Sequence, residues 1–278
     1  MILYVIGLVV GIIILINLAK ASKKIVAVHA RHTMMRSLEK RGNSRVITMI
    51  HRQGSKGILS RFSEKYIDIE DSFSILEAIR KTPAEKAIDF IVHTPGGLVL
   101  ASSQIARALS RHKGEVRIIV PHYAMSGGTL LALAADKIVM DQNAVLGPVD
   151  PQIGGLPASS IMKVLAVKNN DEVDDDTIVF ADIAEKSVSQ MNAAVTALLV
   201  QKGRGEDDAK EVANIMVNGT WTHDYPLTVE FFEENNFDVS TNVPEEVYNL
   251  MNVDPTILSI VPSVESAPAL PKKNKVKK

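Results

Sequence analysis

Ser126 stands in the run His122-Tyr123-Ala124-Met125-Ser126-Gly127-Gly128-Thr129, between the strand-type segment VRIIVP and the helical run LLALAAD. A serine at a strand-to-helix turn can serve as a nucleophile. The glycines after it let a carbonyl approach, and the N–H of Gly127 can meet the oxygen as it turns negative. The same residue types also suit an ordinary helix cap. A second glycine turn, His93-Thr94-Pro95-Gly96-Gly97, follows the apolar run IDFIVH in the same strand-to-helix phase. Its amides suit an anion or oxyanion, and equally a plain tight turn. Adjacent parallel strands would carry both turns to the carboxyl ends of one sheet, where α/β proteins bind ligands. Together they hold the minimum for acyl transfer: a nucleophile and oxyanion donors.

The elements that must position these turns follow from periodicity. Short apolar runs at 46–50, 88–93, 116–121 and 137–141 read as buried strands, with helical segments near 72–81, 98–112 and 127–136 between them. That alternation predicts an α/β fold with a largely parallel sheet covered on both faces. Beyond Pro157 the pattern is helical, near 157–168, 177–202, 206–217 and 226–235, which predicts an added helical layer or arm. The acidic run Asp171, Glu172, Asp174, Asp175 and Asp176 suits a solvated helix start. No His stands at helical spacing to join those carboxylates, so no metal site and no cofactor are expected.

The chain has 278 residues, 46% hydrophobic and 23% charged, with 31 basic and 32 acidic side chains and a formal net charge of -1. Such a composition excludes a wholly disordered protein, and the balanced charge argues against a nucleic-acid partner. Without cysteine there is no disulfide, thiolate metal site or cysteine nucleophile. Residues 2–19 carry no charged side chain, and about 18 residues at ~1.5 Å each would nearly cross a bilayer. Lys20, Lys23, Lys24, Arg31, Arg36, Lys40, Arg41 and Arg45 follow, opposed only by Glu39. The expected order is a transmembrane anchor at 1–20, a basic juxtamembrane segment at 21–45 facing lipid headgroups, a catalytic domain at 46–255 in the cytoplasm, and a disordered basic tail at 256–278. A cleaved signal peptide is the competing reading of the first segment.

At these residues the chain resembles proteases that share the fold of the Clp protease proteolytic subunit, the signal peptide peptidases and the enoyl-CoA hydratases. HTPGG at 93–97 is similar to the family's x-[ST]-P-G-G oxyanion turn, and AMSGGT at 124–129 stands where the nucleophile turn is expected. With LGPVDPQIGG at 146–155 and TWTHDYPLT at 220–228, the resemblance is to the serine dehydrogenase proteinase family, whose name implies no dehydrogenase activity. It implies a Clp protease/crotonase-like spiral of ββα units, preceded by one transmembrane helix, in a homo-oligomer. By carry-over Ser126 is the nucleophile, Gly97 and Gly127 offer the oxyanion N–H groups, and Gly96 shapes the turn. The base does not carry over cleanly. Asp150 lies in the pocket where Clp subunits place a catalytic His, and a carboxylate alone cannot repeat that proton relay. The related membrane proteases use a lysine, which leaves Lys163, Lys168 and Lys186; alignment of the long helix favours Lys186, and counting from GPVDP favours Lys163. His223, near the position of the Clp triad aspartate, is a further alternative, although THDYP also suits a helix-capping turn.

These residues lead to the expectation of a membrane-anchored, ATP-independent serine endopeptidase that cleaves peptides or membrane proteins. Two rivals stand beside it: a catalytically idle membrane scaffold of the same fold, motivated by the unresolved base, and an acyl-CoA hydratase-like enzyme.

Overall fold

The computed structural model describes residues 2–51, 65–252 and 263–268. The helix α1 (Ile2–Gly42) leads into β1 (Ser44–Ile50), followed by α2 (Ile69–Lys81), β2 (Ala87–His93), α3 (Val99–Ser110) and β3 (Val116–Val120). Next come β4 (Tyr123–Ala124), α4 (Gly127–Leu133), β5 (Lys137–Met140), β6 (Val145–Leu146), and the small hairpin of β7 (Gln152–Ile153) and β8 (Leu156–Pro157). The remainder is α5 (Ala158–Val167), α6 (Asp175–Gln201), α7 (Glu206–Val217), α8 (Val229–Glu234), β9 (Val239–Ser240), α9 (Glu245–Met251) and β10 (Val264–Ser266).

Four of these strands are the apolar runs of the sequence, and they are mostly apolar because each is covered on both faces. Successive side chains of a strand point to opposite sides. Ile47, Phe90, Ile118 and Ile138 enter the large core under α2, α3, α4, α6 and α7. Their neighbours Val46, Ile91, Ile119 and Val139 meet Met35 and Leu38 of α1 and Val247 and Leu250 of α9. The main sheet runs β10-β1-β2-β3-β5-β9, all parallel except β10. Phe90 is fully buried at its centre, and truncation to alanine there costs about 3–5 kcal/mol. The helix α2 begins on a capping box, Asp68 accepting from Asp71 N–H while the Asp71 carboxylate accepts from Asp68 N–H; this box returns below. The expected α/β architecture with an added helical layer is found.

Three boundaries differ from expectation. Among the described residues no helix is long and apolar enough to cross a membrane. The expected single span over 1–20 is therefore corrected: the apolar run is one half of a 41-residue helix, and the basic-charge rule no longer assigns a side. The segment 21–45 is not merely a headgroup-facing spacer. Arg31 is only 1% exposed, donates to the Glu265 carboxylate and, at 3.0 Å, to Leu250 O, while Met35 and Leu38 fill the core. The expected tail holds a strand, β10, paired antiparallel with β1 through Ile47, Thr48 and Met49. Of the expected disorder at 256–278, residues 256–262 and 269–278 lie outside the described residues.

Candidate active site

Ser126 sits at the junction of β4 and α4 with φ 49° and ψ -111°. A serine at positive φ is uncommon and costs about 1–3 kcal/mol, which the surroundings must hold in place. They do so by stitching the two glycine turns together. Thr94 N–H donates to Tyr123 O at 3.2 Å and Met125 N–H to Thr94 O at 2.9 Å, so β2 runs on as a bridge to β4. Thr129 clamps the other side, donating to Ala124 O at 2.9 Å and accepting from Gly147 N–H at 3.0 Å. Ser126 precedes the helix but its side chain makes no capping hydrogen bond. The ordinary-cap reading therefore fails, and the hydroxyl is left for other work.

The glycines expected to serve an oxyanion differ in their surroundings. Gly96, at φ 106°, packs so close to the Ser126 turn that a Cβ would lie 2.8 Å from Ser126 Cβ. Its N–H donates to Thr94 Oγ1 at 3.2 Å, and its C=O accepts from Ile67 N–H at 2.7 Å. In a trans peptide the C=O and the next N–H point oppositely. Ile67 thus turns the Gly97 N–H away from itself, and that N–H, like the Gly127 N–H, has no partner among the described residues. A Cβ on Gly127 would stand 2.3 Å from Ser102 Oγ. The Ser102 hydroxyl is buried and has no hydrogen-bond partner among the described residues.

The decisive pair comes from residues far apart in sequence. His223 Nδ1 lies 2.7 Å from Asp150 Oδ1, with the histidine side chain 34% exposed and the aspartate 2%. Asp150 also accepts from Gln152 Nε2 at 2.6 Å. Backbone pairing brings the two segments together: Leu227 and Leu146 exchange hydrogen bonds at 2.8 and 3.0 Å, and Val149 N–H donates to Met216 O at 2.9 Å. One cavity of about 190 Å³ is lined by Gly97, Ser126, Gly127, Asp150 and His223, with apolar walls from Val99, Leu130, Val149 and Met191. A serine hydroxyl, a carboxylate-oriented imidazole and two amides unpartnered among the described residues share one concave site, an arrangement that suits serine hydrolase chemistry. A family model of the ClpP-like SDH-type serine proteinases matches residues 2–278.

The chain belongs to that family. Two uncharacterised proteins of Methanocaldococcus jannaschii are similar to it. One is 58% identical over 224 residues, covering 81% of this chain and 78% of the relative. The other is 50% identical over 234 residues, covering 84% and 80%. Among solved structures, a mutant of the membrane-bound stomatin-specific protease 1510-N aligns with 67% of this chain and 80% of its own, at 21% identity and a TM-score of 0.45.

For this SDH-type proteinase the lysine candidates are corrected. Lys186 is exposed and pairs with Asp182 one turn back on α6 at 2.5 Å. Lys163 in the middle of α5 and Lys168 at its C-cap are exposed, and none of the three lines the cavity. Their helices form an arm over a small cluster of Ala158, Ile161, Ala181 and Ala184, too thin to bury an ammonium. The acidic run is a helix start: Asp174 accepts from Thr177 N–H at 2.9 Å, a bond that holds its carboxyl below the ordinary range. His93 is buried, its ring 4.2 Å from that of Tyr123 and 5.7 Å from that of exposed His122; burial raises the Tyr123 phenol. Sequence reasoning placed Asp150 in the pocket and His223 among the bases but missed their bond to each other. The one available signal was that both stood at the two triad positions with their residue types exchanged.

Proposed function

We propose that this SDH-type proteinase is a serine endopeptidase working through Ser126, His223 and Asp150. The observation that carries the reading is the His223–Asp150 bond in the cavity shared with Ser126. Because Nδ1–H donates to Asp150, the Nε2 of His223 carries the lone pair that accepts the Ser126 proton. The serine oxygen adds to the scissile carbonyl, and the Gly97 and Gly127 N–H groups hold the oxyanion. His223 then returns the proton to the leaving amine, and water releases the acyl group by the same steps in reverse. Asp150 keeps the imidazole in the right tautomer and stabilises its transient positive charge. The idle-scaffold reading drew its support from a missing base, and His223 supplies one.

A membrane location is part of the proposal. Tyr4, Leu8, Val10, Ile12, Leu15 and Leu18 project as exposed apolar side chains from the first half of α1, with no charged residue before Lys20. Apolar surface of that extent associates with lipid or with a partner, which makes membrane-associated polypeptides the favoured substrates. Copies of the chain are expected to assemble through the arm, where Val167, Val179, Phe180 and Ile183 are exposed.

The test is fluorophosphonate labelling of detergent-extracted protein. Wild type should label at Ser126, and Ser126→Ala should not; folded wild type that fails to label overturns the reading. Removal of residues 1–20 should release the protein from the membrane fraction while leaving labelling intact.

A further inference from the structure

A second histidine–aspartate pair lies behind the oxyanion turn and takes no part in the proton transfers above. His51, just past the end of β1, is fully buried. Its Nε2 lies 3.0 Å from Asp71 Oδ2 and its Nδ1 lies 2.8 Å from Thr94 Oγ1. Thr94 is also fully buried, and its Oγ1 accepts from Gly96 N–H at 3.2 Å. Asp71 belongs to the capping box of α2 and accepts from Asp68 N–H at 3.2 Å. The Thr94 hydroxyl has two acceptors in reach, Gly96 O at 3.3 Å, already taken by Ile67 N–H, and the closer His51 Nδ1 at 2.8 Å. The closer one gives the assignment in which Gly96 N–H donates to Thr94, Thr94 O–H donates to His51 Nδ1, and His51 Nε2–H donates to Asp71.

We propose that Asp71 and His51, acting through Thr94, are positioning residues for the oxyanion donor Gly97. The inference rests on the peptidase reading. Gly96 has a glycine's freedom at φ 106°, so the peptide plane that carries the Gly97 N–H must be fixed from outside. Two grips fix it. Ile67 N–H holds the Gly96 C=O at 2.7 Å, and Thr94 Oγ1 holds the Gly96 N–H. The second grip is a side-chain rotor, and a rotor holds only if its own hydrogen is committed elsewhere. His51 takes that hydrogen, and Asp71 fixes the tautomer that lets it do so. The chain therefore ties the first turn of α2 to the aim of an amide on the other side of the sheet end. A buried polar chain of this kind adds little stability over apolar packing of the same shape; what it adds here is orientation.

The experiment uses the full chain and p-nitrophenyl butyrate as substrate, with a fluorophosphonate to titrate Ser126. Thr94→Val should lower kcat about 10- to 100-fold with KM changed less than about twofold, since a misaimed donor fails in the transition state. It should also weaken inhibition by a peptide boronate, which forms a tetrahedral adduct, by a similar factor. Thr94→Ser, which keeps the hydroxyl, should restore kcat to within about threefold, and His51→Phe should resemble Thr94→Val. If Thr94→Val does not fold, Asp71→Asn at the far end of the chain carries the same kcat and boronate measurements. Variants that melt earlier yet keep wild-type kcat and boronate inhibition well below their melting temperature overturn the inference and leave the peptidase reading standing. A folded wild type that neither labels nor hydrolyses the ester overturns both.

Discussion

The molecule uses a histidine–aspartate pair twice, in opposite settings. His223 and Asp150 line a cavity, and Nδ1 of the imidazole is bonded to Asp150 while Nε2 has no partner among the described residues. His51 and Asp71 are sealed in the interior, and both ring nitrogens are held by side chains. In the proposed mechanism the first pair exchanges a proton with substrate, because one ring nitrogen is left unbonded and the side chain is partly exposed. The second has no free valence and can only transmit geometry. The difference lies in what occupies the far nitrogen, so the residue types alone do not say which pair does chemistry.

Breaking the first pair should produce the largest effect on turnover. His223→Ala should lower kcat about 10³- to 10⁶-fold and Asp150→Asn about 10²- to 10⁴-fold, by ester hydrolysis. The cost in stability should be no more than about 1 kcal/mol, because Asp150 keeps Gln152 and gains water from the opened cavity. Breaking the second pair should reverse the balance. His51→Ala removes the partner of two buried groups and leaves a cavity, so urea denaturation should show a loss of about 3 kcal/mol.

A third carboxylate sharpens the contrast by doing neither job. Asp141 accepts from the Tyr248 hydroxyl, and that bond holds the Asp141 carboxyl below its usual range. Burial first, and the Asp141 bond second, push the Tyr248 phenol up to about 12. The unfolded chain ionises its tyrosines near ~10. The contribution of Tyr248 to stability is therefore complete below that pH and is lost as pH rises toward the folded value. Tyr248→Phe should flatten the fall of the urea midpoint in that alkaline window and leave turnover at neutral pH unchanged. The smallest effects belong to the arm: Lys186→Ala and Lys163→Ala should each change kcat/KM by less than about twofold, as surface substitutions do.

The strands that carry the site were legible because burial on both faces leaves a nearly continuous apolar run, as in IDFIVH and VRIIVP. The glycine turns were legible because close approach of backbone to backbone admits no Cβ, and Gly96 against Ser126 is such an approach. The meeting of Asp150 with His223 was not, since it depends on the pairing of Leu146 with Leu227, and a single bridge leaves no period in the sequence. The lysines entered by resemblance to relatives that use one, and a position carried over in that way says nothing of how thick a layer lies beneath it, which decides whether a side chain is dry. The strand β10 was hidden by composition, because its burial depends on Glu265 meeting Arg31 from the other end of the chain.

That meeting has a consequence for how the protein stays apart from its own copies during folding. Until β10 arrives, β1 offers one full side of amides and carbonyls to any extended chain that passes, the kind of template on which sheets of separate molecules join. Because β10 is antiparallel to β1 and is pinned by a buried arginine of α1, a strand more than 200 residues further along the sequence shields the first strand. The shield forms only once residues 264–266 have been made. A nascent or C-terminally clipped chain can carry an intact nucleophile turn and still be the aggregation-prone form of the molecule.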